Sequence, residues 1–227
     1  MKFFDEHTGL ATLARISNTW IVRHPAGTVL IDSGHRTERW ALWRHLREIR
    51  LDAVVLTHRH CDHAGNAAGI RERHGCPVLC HADEASALAG RGDRGRLAGR
   101  GQGSFWDEAL ASWEDRFPAV CEVDDTFTDD VGWGFRALHV PGHTSGSVLL
   151  YHEPTQTLFT GDSILTGIPP LRSIERIRLA IPAYSLDIDG ARGTTREAIR
   201  QLPHVAKICG GHGPPVTEGA DAKLREL

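Results

Sequence analysis

The sequence of 227 residues predicts an α/β fold in a single domain that spans residues 1–227. Three observations support this prediction. Short apolar runs that end on polar turns, such as residues 28–32 and 54–56, are typical of buried strands. Apolar residues three or four positions apart, as over residues 39–50, predict helices between the strands. The strands and helices fall into two similar halves, and each half closes on side chains that can bind a metal ion.

The elements follow one another in a regular order. Residues 20–24 and 28–32 predict two strands joined by a hairpin turn. After the strand at 54–56, the pattern predicts a helix at 67–74, a strand at 78–80 and a helix at 82–89. In the second half it predicts strands at 121–123, 135–140, 147–151, 157–160 and 207–209, and helices at 197–202 and 222–227.

The densest group of metal-ligand side chains directly follows the strand at 54–56, in the segment Thr57-His58-Arg59-His60-Cys61-Asp62-His63. In an extended segment, residues two apart point the same way, so His58, His60 and Asp62 would share one face. A turn at Asp62 would bring His63 beside them. Neutral imidazole and carboxylate are good ligands for zinc, iron and manganese, so this segment predicts a metal site. We expect Cys61 to point the other way, into the core.

Three later loops each offer one further ligand. His143 lies in a turn that Gly142 and Gly146 allow to be tight. Asp162 follows the strand at 157–160, and its two oxygens could bridge two cations. His212 lies in a loop rich in glycine and proline.

Composition narrows the classes of function. The net charge is −3 with neutral histidines, so we expect a small-molecule substrate and neither nucleic acid nor a membrane as partner. No apolar run approaches the roughly 20 residues of a membrane-spanning helix. The N-terminus lacks the apolar core of a signal peptide, so the cytoplasm is the expected compartment. The five cysteines include no C-x-x-C pair, which argues against a disulfide framework.

Several residues near these loops have two interpretations. Asp32 either supports the site or forms a turn. His35 either reaches the site or, as we expect, is an exposed loop histidine. Residues 90–103 form a loop insertion rich in glycine and arginine. This loop is a solvated insertion, a contact for phosphate or nucleic acid, or a lid over the site.

A helix should follow this loop, because Trp106, Leu110, Trp113 and Phe117 fall at helical spacing. This apolar stripe either packs on the core or lies beside the site, with Phe105 or Trp106 binding the substrate. In the second case, Arg94 or Arg96 would attract an anionic leaving group.

The order His-x-His-x-Asp-His, then His, then Asp, then His resembles the signature of the metallo-β-lactamase superfamily over roughly residues 30–215. The resemblance implies an αββα sandwich with a dinuclear metal site at one edge of the two sheets. It also implies two divalent metal ions, with zinc as the first choice and iron or manganese as alternatives. Carried over position by position, metal one takes His58, His60 and His143, metal two takes Asp62, His63 and His212, and Asp162 bridges them.

The bridging aspartate disfavours antibiotic hydrolysis, because true β-lactamases of this superfamily lack it. The segment from Gly161 to Gly167 is similar to a motif of glyoxalase II-like proteins, so the resemblance implies hydrolysis of a thioester or ester by a metal-bridging hydroxide. Asp62 would orient that hydroxide as the catalytic residue. Two departures argue against glutathione specificity. The arginine-bearing continuation of the motif is replaced at residues 168–171, and no C-terminal helical domain is expected after His212.

Three other activities of the same superfamily stay open. A lactonase would need a tyrosine close to the bridging aspartate, whereas Tyr184 is 22 residues beyond Asp162 (184 − 162). A mononuclear iron persulfide dioxygenase could use His58, His143 and Asp162 alone. A ribonuclease would need a basic surface, which only residues 90–103 could offer.

Overall fold

The computed structural model describes residues 2–11, 16–95, 97, 105–167 and 177–227, without the side chains of residues 105–108 and 110. Within these residues, two β-sheets lie face to face and helices cover both outer faces. The expected αββα sandwich is therefore confirmed.

The first sheet contains seven strands in the order of the sequence. Within the described ranges these are β1 (Lys2–Phe3), β2 (Thr8–Leu10), β3 (Trp20–His24), β4 (Gly27–Ile31), β5 (Ala53–Val55), β6 (Val78–His81) and β7 (Asp125–Phe127). Strands β1 to β4 are antiparallel, and β4 to β7 are parallel. The helices of this half are α1 (Arg39–Leu46), α2 (Cys61–Ala64), α3 (Ala67–His74), α4 (Ala82–Leu88) and α5 (Phe105–Arg116).

The second sheet is built from β8 (Asp130–Gly132), β9 (Phe135–His139), β10 (Val148–His152), β11 (Thr157–Gly161) and β14 (Lys207–Gly210), in the order β14-β11-β10-β9-β8. Only the β11–β14 pair is parallel among these described pairings. A two-stranded ribbon follows, β12 (Ile164–Leu165) with β13 (Arg178–Leu179). The helices of this half are α6 (Ile188–Gln201) and α7 (Ala220–Arg225).

Three apolar layers hold the sandwich together. Trp20, Phe135 and Phe159 belong to the layer between the sheets, and the rings of Trp20 and Phe159 meet edge-on at 6.2 Å. Helices α1 and α3 close the outer face of the first sheet, and α6 and α7 close that of the second. Each fully buried large apolar side chain contributes about 1.5–3 kcal/mol relative to an exposed one. The packed layers therefore fix the edge at which strands from both sheets end.

Candidate metal centre

The seven predicted ligands lie at one edge of the sandwich, just beyond the ends of strands. His58 and His60 follow β5, while Asp62 and His63 lie in α2. His143 lies in the turn between β9 and β10, Asp162 directly follows β11, and His212 follows β14. Parallel strands bring their carboxyl ends to the same edge, which is where α/β proteins commonly build sites.

The side chains form two groups. The first group is His58, His60 and His143, and the second group is Asp62, His63 and His212; within each, one ligand atom per residue lies within 4.8 Å of the others. In the first group, the rings of His58 and His143 are 4.8 Å apart, and those of His60 and His143 are 4.6 Å apart. This is the grouping that the family resemblance implies, and the metal-binding role of these residues stays a prediction. His58, His63 and Asp162 also lie within 4.8 Å of one another, so the two groups adjoin.

Asp162 lies between the two groups. Its Oδ1 is 3.3 Å from Nε2 of His63 and 3.2 Å from Nε2 of His212. Its Oδ2 is 3.8 Å from Nε2 of His143. One carboxylate oxygen therefore faces the second group and the other faces the first, as a bridging ligand requires.

The donor atoms at the centre fit a bound cation. His58, His63 and His143 each have a buried Nε2 that lacks a hydrogen-bond partner among the described residues, and Oδ1 of Asp162 also lacks one. Buried polar atoms without partners are costly and uncommon in folded proteins. Divalent cations would satisfy these nitrogen and oxygen atoms together, so the residues fit a metal centre.

The opposite nitrogens of these histidines are held by neighbouring side chains. Nδ1 of His63 lies 2.7 Å from Oδ2 of Asp32, and Nδ1 of His143 lies 3.1 Å from Oγ of Ser185. A hydrogen bond at Nδ1 directs the lone pair of Nε2 toward the metal position. Asp32 is buried and has a φ of 59°, a left-handed conformation that aspartate tolerates better than most residues. Asp32 therefore supports the site through His63, whereas the chain from 32 to 35 after β4 is irregular rather than a turn.

The histidines of the two groups differ in pKa, because burial and nearby charges affect them differently. Burial lowers the pKa of His58 and His60 well below the ordinary value and lowers that of His143 to about 4, because a buried imidazolium loses its hydration. Burial acts in the same direction on His63 and His212, but there the carboxylates outweigh it. Asp62 and Asp162 raise the pKa of His63 well above the ordinary value, and Asp162 raises that of His212 to about 10.

The two carboxyls respond in the opposite way. Burial raises the pKa of Asp62 and Asp162, but His63 and His212 outweigh it and hold both pKa values well below the usual range. Without a cation the second group is therefore a cluster of carboxylates and protonated imidazoles. A cation would take the place of those protons.

A cavity of about 260 Å³ adjoins the centre at His60. It is lined by Arg59, His60, Arg94, Gly95, Leu97, Glu114 and Asp115. The lining comes from the first ligand segment, from the loop after α4 and from α5. The side chains of Phe105 and Trp106, predicted to bind the substrate, lie outside the described residues, although both positions begin α5.

The structure gives Arg94 partners within the protein, which count against its attracting an anionic leaving group. Its guanidinium donates to the carbonyl oxygens of Ala87 at 2.9 Å and Ala119 at 3.3 Å, and it forms an ion pair with Glu114 at 3.3 Å. Arg96, the other candidate, lies outside the described residues. Arg94 therefore holds the loop against α4 and α5.

Two further expectations need correction. His35 is only 7% exposed, and it caps the 3-10 helix Arg36–Glu38 by accepting a hydrogen bond from Thr37 N–H. In α5, Ala111 is buried, whereas Trp113 of α5 and Phe117, which directly follows the helix, are 47% and 38% exposed. The C-terminal half of the predicted apolar stripe thus does not pack on the core. Cys61 is buried in the core, as expected.

A third cluster, which the sequence did not single out, contains His81, Asp83 and His139. The two imidazole rings stack at 3.9 Å with 17° between their planes. Nδ1 of His81 accepts a hydrogen bond from Asp83 N–H, and Nε2 of His139 lies 2.9 Å from the Ser145 carbonyl oxygen. These nitrogens already serve backbone groups, so the cluster is interpreted as a helix cap with a stacked partner.

The chain belongs to the metallo-beta-lactamase superfamily, whose pattern it matches over residues 12–212. The resemblance recognised in the ligand motifs is therefore confirmed. Members of this superfamily include metallo-hydrolases, and the His/Asp cluster indicates a site for divalent metal ions. None of the helices in the described ranges has the length and apolar character needed to cross a bilayer.

Two relatives and one solved structure illustrate what the chain is similar to. An uncharacterised protein of Mycobacterium leprae is 30% identical over 91% of each chain. A hydroxyacylglutathione hydrolase of Halorhodospira halophila is 29% identical over 154 residues, which are 65% of this chain and 47% of that enzyme. Among solved structures, the protein TTHA1623 in a di-iron-bound form has a TM-score of 0.63 and 26% identity, over 95% of this chain and 98% of that one.

Proposed function

We propose that this chain is a metal-dependent hydrolase that cleaves a thioester or ester carbonyl at a two-metal centre, with zinc as the first choice of metal. The observation that carries the proposal is the position of Asp162, which presents one oxygen to each group of ligands. Similarity to a hydroxyacylglutathione hydrolase supports thioesters as the substrate class. Iron and manganese are alternatives, because every ligand is a nitrogen or oxygen donor.

Two bound cations would supply a nucleophile at neutral pH and stabilise charge on the carbonyl oxygen. The chain contributes the orientation of the reacting groups. Asp62 stays ionised at neutral pH because its pKa lies well below the usual range. Its Oδ2 lies near His63 and His212, so we assign to Oδ1 the hydrogen bond that orients an attacking water. Its side chain is 21% exposed, which gives solvent access to this position.

The cavity beside His60 is the proposed place for the acyl group. It is bordered by Glu114 and Asp115 of α5, the helix that begins with Phe105 and Trp106. We therefore keep these two aromatic residues as the proposed substrate contacts. A thiolate leaves without prior protonation, whereas an alkoxide needs a proton, from Asp62 or from water.

Lactones are the second candidate class of substrate. Tyr184 is distant from Asp162 in sequence, but it directly precedes Ser185, whose hydroxyl contacts His143. A tyrosine next to a residue of the centre supports this alternative more than the sequence alone does.

A substrate panel tests the proposal. Protein cleared of metal by a chelator and reloaded with zinc should hydrolyse small acyl thioesters faster than lactones, cephalosporins or RNA. If lactone opening is the fastest reaction, lactones replace thioesters as the favoured class of substrate. Oxygen consumption with a persulfide, by protein holding one iron per chain, would replace the proposal with the dioxygenase alternative.

A further inference from the structure

A buried polar network lies behind the first group of ligands. Glu84 of α4 is fully buried, and its carboxylate accepts hydrogen bonds from Arg59 Nη1 at 2.7 Å and from the hydroxyl of Thr144. The Arg59 and Glu84 side chains are 3% and 1% exposed. We call these three residues the Glu84 network. None of them belongs to either ligand group.

The sequence positions of these residues show which loops the network connects. Arg59 lies between His58 and His60, and Thr144 directly follows His143. Glu84 therefore links the two loops that supply the first group, one from each sheet.

The second group is supported by different residues. Asp32 contacts His63, while Asn18 donates to the carbonyl oxygens of Gly210 at 2.9 Å and Gly213 at 2.7 Å, which flank His212. Asp32 also accepts a hydrogen bond from the Thr57 hydroxyl, which lies 3.1 Å from Nδ1 of His58, so Asp32 serves both groups. The Glu84 network bonds instead to Arg94 and Ser147, so it can be changed separately from the supports of the second group.

The turn that carries His143 is pressed closely against α4. A Cβ added at Gly146 would lie 2.8 Å from the backbone nitrogen of Glu84, so this approach requires glycine. Two charges that are fully buried lose hydration, and an apolar pair of similar volume is often equally stable. Stability alone therefore does not explain the ion pair, whereas directional hydrogen bonds to both ligand loops do.

We infer that Glu84 is a positioning residue that sets where His143 lies relative to His58 and His60, and so sets the affinity of the first group for its metal ion. This inference rests on the metal centre of the proposed function. It is independent of the substrate, because its test measures metal binding alone.

The cleanest test changes Thr144. Thr144→Val keeps the shape of the side chain but removes the hydroxyl, which also contacts Ser147 Oγ at 2.7 Å. Thr144→Ser keeps the hydroxyl. Zinc affinity is measured by competition with a chromophoric chelator, in two backgrounds that each weaken one group. These backgrounds are His212→Ala, which leaves the first group intact, and His60→Ala, which leaves the second group intact.

In the His212→Ala background, Thr144→Val should weaken zinc binding about 10- to 100-fold, the usual effect of losing a residue that orients a ligand. Thr144→Ser should restore the affinity to within about threefold on the same scale. In the His60→Ala background, Thr144→Val should change affinity less than about twofold. Equal weakening in both backgrounds, or no difference between the valine and serine variants, would overturn the inference.

A second variant tests Glu84 directly. Glu84→Gln should weaken zinc binding by the first group and alter the visible spectrum of Co²⁺ bound there. The matched control is Asp124→Asn, because Asp124 also pairs with an arginine, Arg71, and accepts from a backbone N–H, that of Val78. The control should leave both metal affinities unchanged. If Glu84→Gln does not fold, the Thr144 variants decide the question. If the wild type binds no metal, the proposed function fails first, and that result is distinct from the failure of this inference.

Discussion

Asp162 touches both ligand groups through different oxygens, so its loss should affect both metal ions. We expect Asp162→Ala to weaken both by more than about 100-fold and to abolish turnover, because it removes a shared ligand. His212→Ala removes a ligand from the second group only and should weaken mainly one metal. Elemental analysis after dialysis measures the metal content per chain. Near-normal metal content in Asp162→Ala would rule out the bridging role.

Metal binding should also release protons. The carboxylates that raise the pKa of His212 to about 10, and that of His63 well above its ordinary value, keep both imidazoles protonated at pH 7 in the metal-free chain. A metal ion binds only the deprotonated imidazole, so binding at pH 7 should release roughly one to two protons per chain. The number of protons released should fall as the pH rises toward the pKa of His212, because a smaller fraction of the imidazoles is then protonated before the metal ion binds.

Calorimetric titration with zinc, in buffers of different ionisation enthalpy, counts these protons. His212→Ala should reduce the number by about one. An observed enthalpy that is the same in all buffers would contradict the assignment of protons to the second group.

The candidate ligands could be picked out from the sequence because part of the information is local and the rest comes from the family resemblance. Alternation after a buried strand aligns His58, His60 and Asp62, and glycine-rich turns mark the other positions. Their supports were harder to predict. Glu84 lies 25 residues after Arg59 and 60 before Thr144, and a glutamate in a short helix carries no local sign of burial. Tertiary packing also determines the surroundings of His35, which the sequence predicted to be exposed, and of Arg94, which it offered as a contact for an anion.

At the scale of elements, long and strongly patterned segments such as β3, β4 and β10 lie where the sequence predicts them. The short strands β7 and β8 do not, because their aspartate-rich sequences have low strand propensity and the pairing is imposed by their neighbours. The predicted strand at 121–123 is irregular chain just before β7.

The loop after α4 is anchored to α5 through Arg94, and this anchoring can be tested. Arg94→Ala should destabilise the fold by about 2–3 kcal/mol, because the Glu114 side chain, which is 12% exposed, loses its cationic partner and keeps the Cys61 N–H as a donor. Thermal unfolding of the metal-free protein measures the loss. Arg91→Ala is the matched control, since Arg91 and Glu122 form an exposed pair worth less than about 1 kcal/mol. Equal melting temperatures for the two variants would show that the loop is not held by Arg94.

For the whole molecule, the fold class with its two sheets could be predicted, because all seven candidate ligands appear in the order that is typical of the superfamily. The path of residues 2–10 could not be predicted from the sequence. These residues form β1 and β2 at the edge of the first sheet, and such short edge strands carry a weak pattern. The ion pair between Asp5 and Lys207 ties this edge to the start of β14 in the second sheet.

Each ligand group draws side chains from both sheets, so neither group exists until the sheets have docked. This has a consequence for kinetics. If the sheets dock before a cation binds across the edge, the contacts that the cation adds are absent from the folding transition state, and such contacts slow unfolding with little effect on the folding rate. Metal binding at the centre should therefore lower the unfolding rate of the assembled sandwich without raising its folding rate.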